Sequence, residues 1–184
     1  MPLAKGVLFV AMREHLRLEF GDAALSRVVQ GLPGDLRDPF RSAIPSGWYP
    51  EELVPAVVES VFLHACAGSA ERLRPFVQEA TRDSIGPAFR LLARMTSPEF
   101  VVPLVPRLWS GQHDTGEARL LVRHRGRASL ELRRFPQLRD ARYRDVVAVL
   151  VETVVGLAGG AKVQVQCTPG AEPIESVRID AAWA

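Results

Sequence analysis

Two stretches near the C-terminal end alternate between apolar and polar side chains. Val163, Val165 and Cys167 alternate with Lys162, Gln164, Gln166 and Thr168, and Val177, Ile179, Ala181 and Trp183 alternate with Ser176, Arg178, Asp180 and Ala182. A period of two places successive side chains on opposite faces of a pleated strand, so each stretch predicts a strand with one buried face. The turn formers Pro169-Gly170-Ala171-Glu172-Pro173 lie between them. Such a pair needs an apolar layer to cover it. Residues 140–158 supply one: an apolar, valine-rich run with no turn signal, closed by Gly159-Gly160. Valine favours strands, but the run is too long for one strand of a small domain, which predicts a buried helix. Residues 117–124 and 128–135 are two further strand candidates, and Arg125-Gly126-Arg127 carries the hairpin glycine.

Residues before this block read as helices. Leu8, Phe9, Met12, Leu16 and Phe20 form one stripe at helical spacing, and Gly21 stops it. Asp22 caps a second helix to about Gln30, ended by Gly31 and Pro33. Residues 31–49, rich in Pro and Gly, predict an ordered loop whose Trp48 and Tyr49 pack onto the core. Helices follow over 51–67, from Ser69 to about Arg82, and through Pro87 and Phe89 to Met95. Ser97-Pro98-Glu99 starts another, to about Trp109, which Pro103 and Pro106 interrupt. The expected fold class is α+β: a helical N-terminal region, 1–112, followed by a β-β-α-β-β antiparallel sheet packed on helices, 113–184. At 184 residues the chain fits one domain.

Charge is near balance overall, with a formal net of +2, but it is not evenly spread. Residues 119–144 carry nine arginines against Glu131 and Asp140. All basic residues of the chain except Lys5 and Lys162 are arginines, a bias that a GC-rich coding genome explains as well as function does. Within the basic segment Arg123, Arg125, Arg127, Arg133 and Arg134 are the candidates for holding an acidic protein partner. A nucleic-acid partner is not expected, because Phe135 and Tyr143 are the only aromatics nearby. No segment reaches the length of a membrane span. Cys66 and Cys167 lie far apart without a CxxC, which predicts two reduced thiols of a cytoplasmic protein.

Chemistry-bearing motifs are sparse. There is no GxSxG, no GxxxxGK[ST] and no GxGxxG. His64 and Cys66 stand two apart on a predicted helix and point in different directions, so no metal site is expected. No catalytic residue is assigned, and the reading is non-enzymatic. The ligand-pocket candidates are Trp48, Tyr49 and Trp109, as aromatics with polar tips; Arg90 and Arg94, four apart on one helix face, for a carboxylate; and His113.

Several segments carry a resemblance: Lys5-Gly6-Val7-Leu8-Phe9, Leu18-Glu19-Phe20-Gly21, Ser46-Gly47-Trp48-Tyr49-Pro50, Trp109 to Gly116, and Val177-Arg178-Ile179-Asp180. In this order they resemble a family of paralogous proteins of unassigned function abundant in myxobacteria. That family is similar in layout to 4-vinyl-reductase-type domains, to heme–nitric-oxide-binding domains and to the small subunits of vesicle-tethering (TRAPP) complexes. The resemblance implies a mixed α/β fold, often dimeric, with a cavity for a small molecule, a heme or an acyl chain. It implies a sensory or regulatory role with a small apolar or acidic ligand and a homodimer. An adaptor module using residues 119–144 is the alternative. The heme-binding relatives use a proximal histidine and a Tyr-x-Ser-x-Arg motif, which neither Tyr49 nor Tyr143 begins. The vinyl-reductase layout tends to pair cysteines near the final hairpin, whereas Cys167 stands alone and Glu175 takes the later position. The expectation is therefore no cofactor, heme included.

Overall fold

The computed structural model describes residues 2–171 and 176–184. Glu172, Pro173 and Glu175, from the last turn, lie outside the described residues. The chain forms two compact units, Met1–Ser84 and Ile85–Ala184.

In the first unit, β1 (Leu3–Lys5) leads into α1 (Gly6–Gly31), followed by α2 (Gly34–Arg41), β2 (Trp48–Pro50), α3 (Leu53–His64) and α4 (Ala70–Ser84). Gly21 acts as the sequence predicts: at φ 80° and ψ 170° it breaks α1 into two helical stretches. β1 and β2 pair antiparallel, with Lys5 opposite Trp48. The predicted loop over 31–49 is corrected, because it contains α2. Pro39 lies inside that helix, a position where proline removes a hydrogen bond. The Arg13 guanidinium of α1 binds the carbonyls of Phe40, at 3.0 Å, and Arg41, at 2.7 Å, at the C-terminal end of α2, where carbonyls have no partner within the helix. No local pattern could show that contact.

The second unit begins with α5 (Pro87–Arg94) and α6 (Pro98–Val101). A single 3-10 turn and α7 (Val105–Gln112) continue the interrupted helix that Pro103 and Pro106 predict. Then come β3 (Glu117–His124), β4 (Arg127–Arg133), α8 (Ala141–Leu157), β5 (Gln164–Pro169) and β6 (Ser176–Ala182). The strands form one antiparallel sheet in the order β3-β4-β6-β5. This is the expected β-β-α-β-β in an α+β fold. The Asp140 side chain caps α8 by accepting the Arg142 N–H at 2.8 Å.

Register sorts the sheet into two faces. Ala128, Leu130 and Leu132 of β4 stand opposite Ala181, Ile179 and Val177 of β6, and all six are buried. α8 packs against β5 and β6 and also against α5 and α6, and it buries Val147, Val151, Val154 and Val155. A buried valine of this kind contributes roughly 1.5–3 kcal/mol. The helix is thus packed against both sheet and helices of its own unit. A second copy is not needed to bury it. Among the described residues, no helix is long and apolar enough to cross a membrane.

Candidate functional site

The other face of the sheet is polar, and its register lays the side chains out in rows. His124, Arg127, Ala182 and Gln164 form one row across β3, β4, β6 and β5. Val122, Ser129, Asp180 and Gln166 form the next. Val122 joins this face only because a bulge between Leu120 and Val122 shifts the register of β3. Small residues, Ser129 and Ala182, occupy the two middle strands, and long ones flank them. The result is a hollow of about 440 Å³ with Arg178 at its third row. That volume is in the range of small-molecule sites.

A hydrogen-bonded triangle organises the floor. The Ser129 hydroxyl donates to the Asp180 carboxylate, the Arg178 Nε donates to both Asp180 oxygens at 3.0 Å, and Arg178 Nη2 donates to the Ser129 hydroxyl at 3.2 Å. The Ser129 bond, followed by Arg178, holds the Asp180 carboxyl below its ordinary range. Asp180 stays ionised at neutral pH, and its charge is matched by Arg178.

The basic segment resolves into two ends. At one end Glu117 takes Arg133, Arg119 and Arg134 together, with Arg133 Nη2 at 2.8 Å. The bonds from Arg133 and then Arg119 pull the Glu117 carboxyl down to about 2. At the other end Arg123, Arg125 and Arg127 are exposed and have no ion pair among the described residues. The five partner-binding candidates therefore divide, with Arg133 and Arg134 engaged internally and the three at the hairpin tip not.

The ligand-pocket candidates also divide. Trp48 and Tyr49 belong to the first unit. Tyr49 lies edge-on to Phe9 at 5.8 Å, and its hydroxyl accepts the Ile44 N–H at 3.0 Å, closing the loop. Lys5 Nζ sits 4.4 Å above the Trp48 ring. Trp109 and His113 are brought together in the second unit, stacked at 4.0 Å, with Phe135 edge-on to both. Tyr143 packs on Phe135 in turn. The Trp109 indole N–H donates to the Thr115 carbonyl at 3.2 Å, fixing the turn into β3. Arg90 and Arg94 lie on α5, with Arg94 at its exposed end. The sequence reading missed Ser129, Arg178, Asp180, Gln164 and Gln166. Their polar alternation is visible, but only the strand order shows that β4 and β6 bring them onto one surface.

Cys66 is buried and Cys167 is half-buried. Burial pushes the Cys167 thiol up to about 11, and its Sγ donates to the Arg144 carbonyl at 3.5 Å. Burial also raises the Cys66 thiol.

No family model matches the chain, and no curated protein does. The myxobacterial resemblance therefore rests on its motifs. Solved structures do match. The Fe(II) unliganded H-NOX protein from K. algicida superposes with a TM-score of 0.69 at 8% identity, over 98% of this chain and 96% of that one. An oxygen-binding H-NOX domain related to soluble guanylate cyclases, in its oxygen complex, gives 0.62 at 13% identity, over 97% and 94%. A structure from work on heme redox potential modulated by protein-induced porphyrin distortion gives 0.64 at 13% identity, over 97% and 94%. Of the three layouts the sequence resembles, the heme–nitric-oxide-binding one is thus matched in space. The likeness also corrects the expectation of no cofactor. That expectation rests on the absence of a short linear motif, whereas a neighbour named for heme matches nearly the whole chain in fold at 13% identity. The donor set allows a test of fit. Of the four histidines only His113 is buried, at 5% exposure, and Trp109 stacking fixes its ring. A buried imidazole with a fixed ring would have the chemistry to ligate a heme iron. The chain is similar to H-NOX domains in fold.

Proposed function

We propose that this chain is a sensory small-ligand-binding domain on an H-NOX-like fold. The observation that carries the reading is the match to H-NOX structures along nearly the whole chain. Heme is the group those neighbours imply, and His113 is the side chain of this chain that would ligate its iron. A bound heme would supply an iron able to take a diatomic gas. The chain's own contribution is to hold the His113 imidazole out of water, against Trp109 and Phe135.

The test is reconstitution of the purified protein with hemin, followed by absorbance spectra of the ferric and ferrous forms. A stoichiometric Soret band that changes on His113→Ala, with circular dichroism unchanged, supports the reading. An identical band in the variant removes His113 from it. No stoichiometric band removes heme and leaves a ligand of another class.

The adaptor reading has one observation in its favour: Arg123, Arg125 and Arg127 cluster at the β3–β4 tip, exposed and without an ion pair among the described residues. Charge reversal at Arg125 and Arg127 abolishes capture of an acidic partner on that reading and leaves the fold intact. Homodimer formation, implied by the family resemblance, is read by the mass of the native protein in solution.

A further inference from the structure

We propose that the polar hollow on the sheet is a second binding site, for a small molecule bearing an oxyanion, either phosphate or carboxylate. It is independent of the heme question, since none of its residues belongs to the His113 cluster.

Shape is the first argument. A flat sheet face suits a protein or an extended strand. This face is dished, because Ser129 and Ala182 are small and the residues around them are long. Its volume, about 440 Å³, holds a small molecule. Chemistry is the second. The rim carries Arg127, His124, Gln164 and Gln166, all exposed and without a side-chain partner among the described residues. Arginine presents a planar fork of donors that matches carboxylate and phosphate oxygens. The two glutamine amides sit two residues apart on β5, so both face the hollow.

Electrostatics is the third argument. Among the described residues Asp180 is the one acid lining the hollow, and it would repel an anion if its charge were unmatched. Its charge is matched, with Arg178 on both of its oxygens and the Ser129 hydroxyl donating to it. The same bonds hold Arg178 along the floor, so its remaining N–H groups are oriented before a ligand arrives. Arg127 is then the cation left over, and the net field of the hollow is positive. Among the described residues the lining holds no aromatic platform for bases, its larger apolar residues being Val122 and Val165, so a nucleic acid would lack its stacking partners.

The experiment is titration of the full chain with inorganic phosphate and, separately, with citrate, followed by two-dimensional NMR at constant ionic strength. The expected result is saturable shifts confined to Arg127, Ser129, Gln164, Gln166 and Ala182. Arg127→Gln should raise the half-saturation concentration by about tenfold or more, as loss of one charge-assisted contact does. Arg123→Gln is the matched control. It removes the same charge from the same hairpin, but its register is with Ala128, on the opposite face. Equal weakening by both variants, or shifts that spread over all the arginines without saturating, overturns the proposal, as does no response to either anion. Response to phosphate alone assigns the site to phosphate compounds, and response to citrate alone assigns it to carboxylates. Both variants alter exposed hairpin residues, and Gln164→Ala gives a further reading from β5 without changing charge.

Discussion

The Glu99 carboxylate accepts the indole N–H of Trp183 at 3.2 Å, across 84 residues of chain. The same oxygen accepts the Gly126 N–H at 3.1 Å. One carboxylate at the start of α6 therefore ties that helix to the β3–β4 turn and to the end of β6. Backbone N–H bonds, its own and then that of Gly126, hold Glu99 down to about 2. The folded value lies below the unfolded one, so the stabilisation is present above the ordinary carboxylate range and is lost as pH falls towards 2. Glu99→Gln keeps one acceptor but loses the charge that strengthens both bonds. We expect it to cost about 1–2 kcal/mol near neutral pH, measured by urea unfolding, with the difference from the natural protein shrinking in acid. A constant difference down to acid pH would show that the charge is not what matters.

Gly116 marks the entry to the sheet. Its φ is +73°, and a Cβ there would lie 2.9 Å from Phe135 Cδ2. Gly116→Ala meets both a left-handed backbone cost and a clash with the ring that braces Trp109 and His113. Loss of about 2–4 kcal/mol of stability is expected, read as a lowered thermal midpoint. The Trp109 fluorescence should change as well, because its neighbour must move. Gly126→Ala is the milder comparison: its φ is +74°, but its nearest outside contact, the Trp183 carbonyl, is at 3.1 Å, and no ring is displaced.

Periodicity made most of the fold legible. Alternation around Val165 and Val177 located β5 and β6, the uninterrupted run after Asp140 located α8, and Gly21 broke α1 where its lack of a side chain permits. α2 was not legible, because Pro33, Gly34 and Pro39 are loop residues by any local rule. Its C-terminal carbonyls are held by the distant Arg13, a contact that no local pattern records. The site divides the same way. The hairpin arginines stand out as a charge run, whereas the hollow exists only once β6 lies beside β4, which joins Asp180 to Ser129 across 51 residues. Local spacing carries no record of strand order. It carries equally little of which arginines are spent, since Arg133 and Arg134 look like Arg125 and Arg127 until Glu117 is placed between them and Arg119.

The thiols offer a direct check on packing. A thiolate is the reactive form, and burial raises both thiols, Cys167 to about 11. In the folded protein both should react slowly with a thiol-specific disulfide reagent at mildly alkaline pH, and both should react promptly in denaturant. Rapid reaction of Cys167 in the native state would mean that β5 and α8 separate readily, since its Sγ is held at the Arg144 carbonyl of that helix.

Asp180 allows the floor of the hollow to be tested apart from any ligand. Its carboxyl is lowered by the Ser129 hydroxyl first and Arg178 after it. A lowered carboxyl contributes stability above its ordinary range, and that contribution fades as pH falls through the folded value. Asp180→Asn removes the charge and leaves one oxygen where two were used, so Arg178 and Ser129 compete for it. Near neutral pH the variant should unfold at lower urea than the natural protein, and the two should converge as pH falls below the ordinary carboxylate range. The side chain of Arg178 should also lose its orientation, which NMR of its Nε–H can follow through exchange with water. If Asp180→Asn leaves that Nε–H protected, the arginine is held by something other than the Ser129–Asp180 pair, and the floor of the hollow is not built by the triangle.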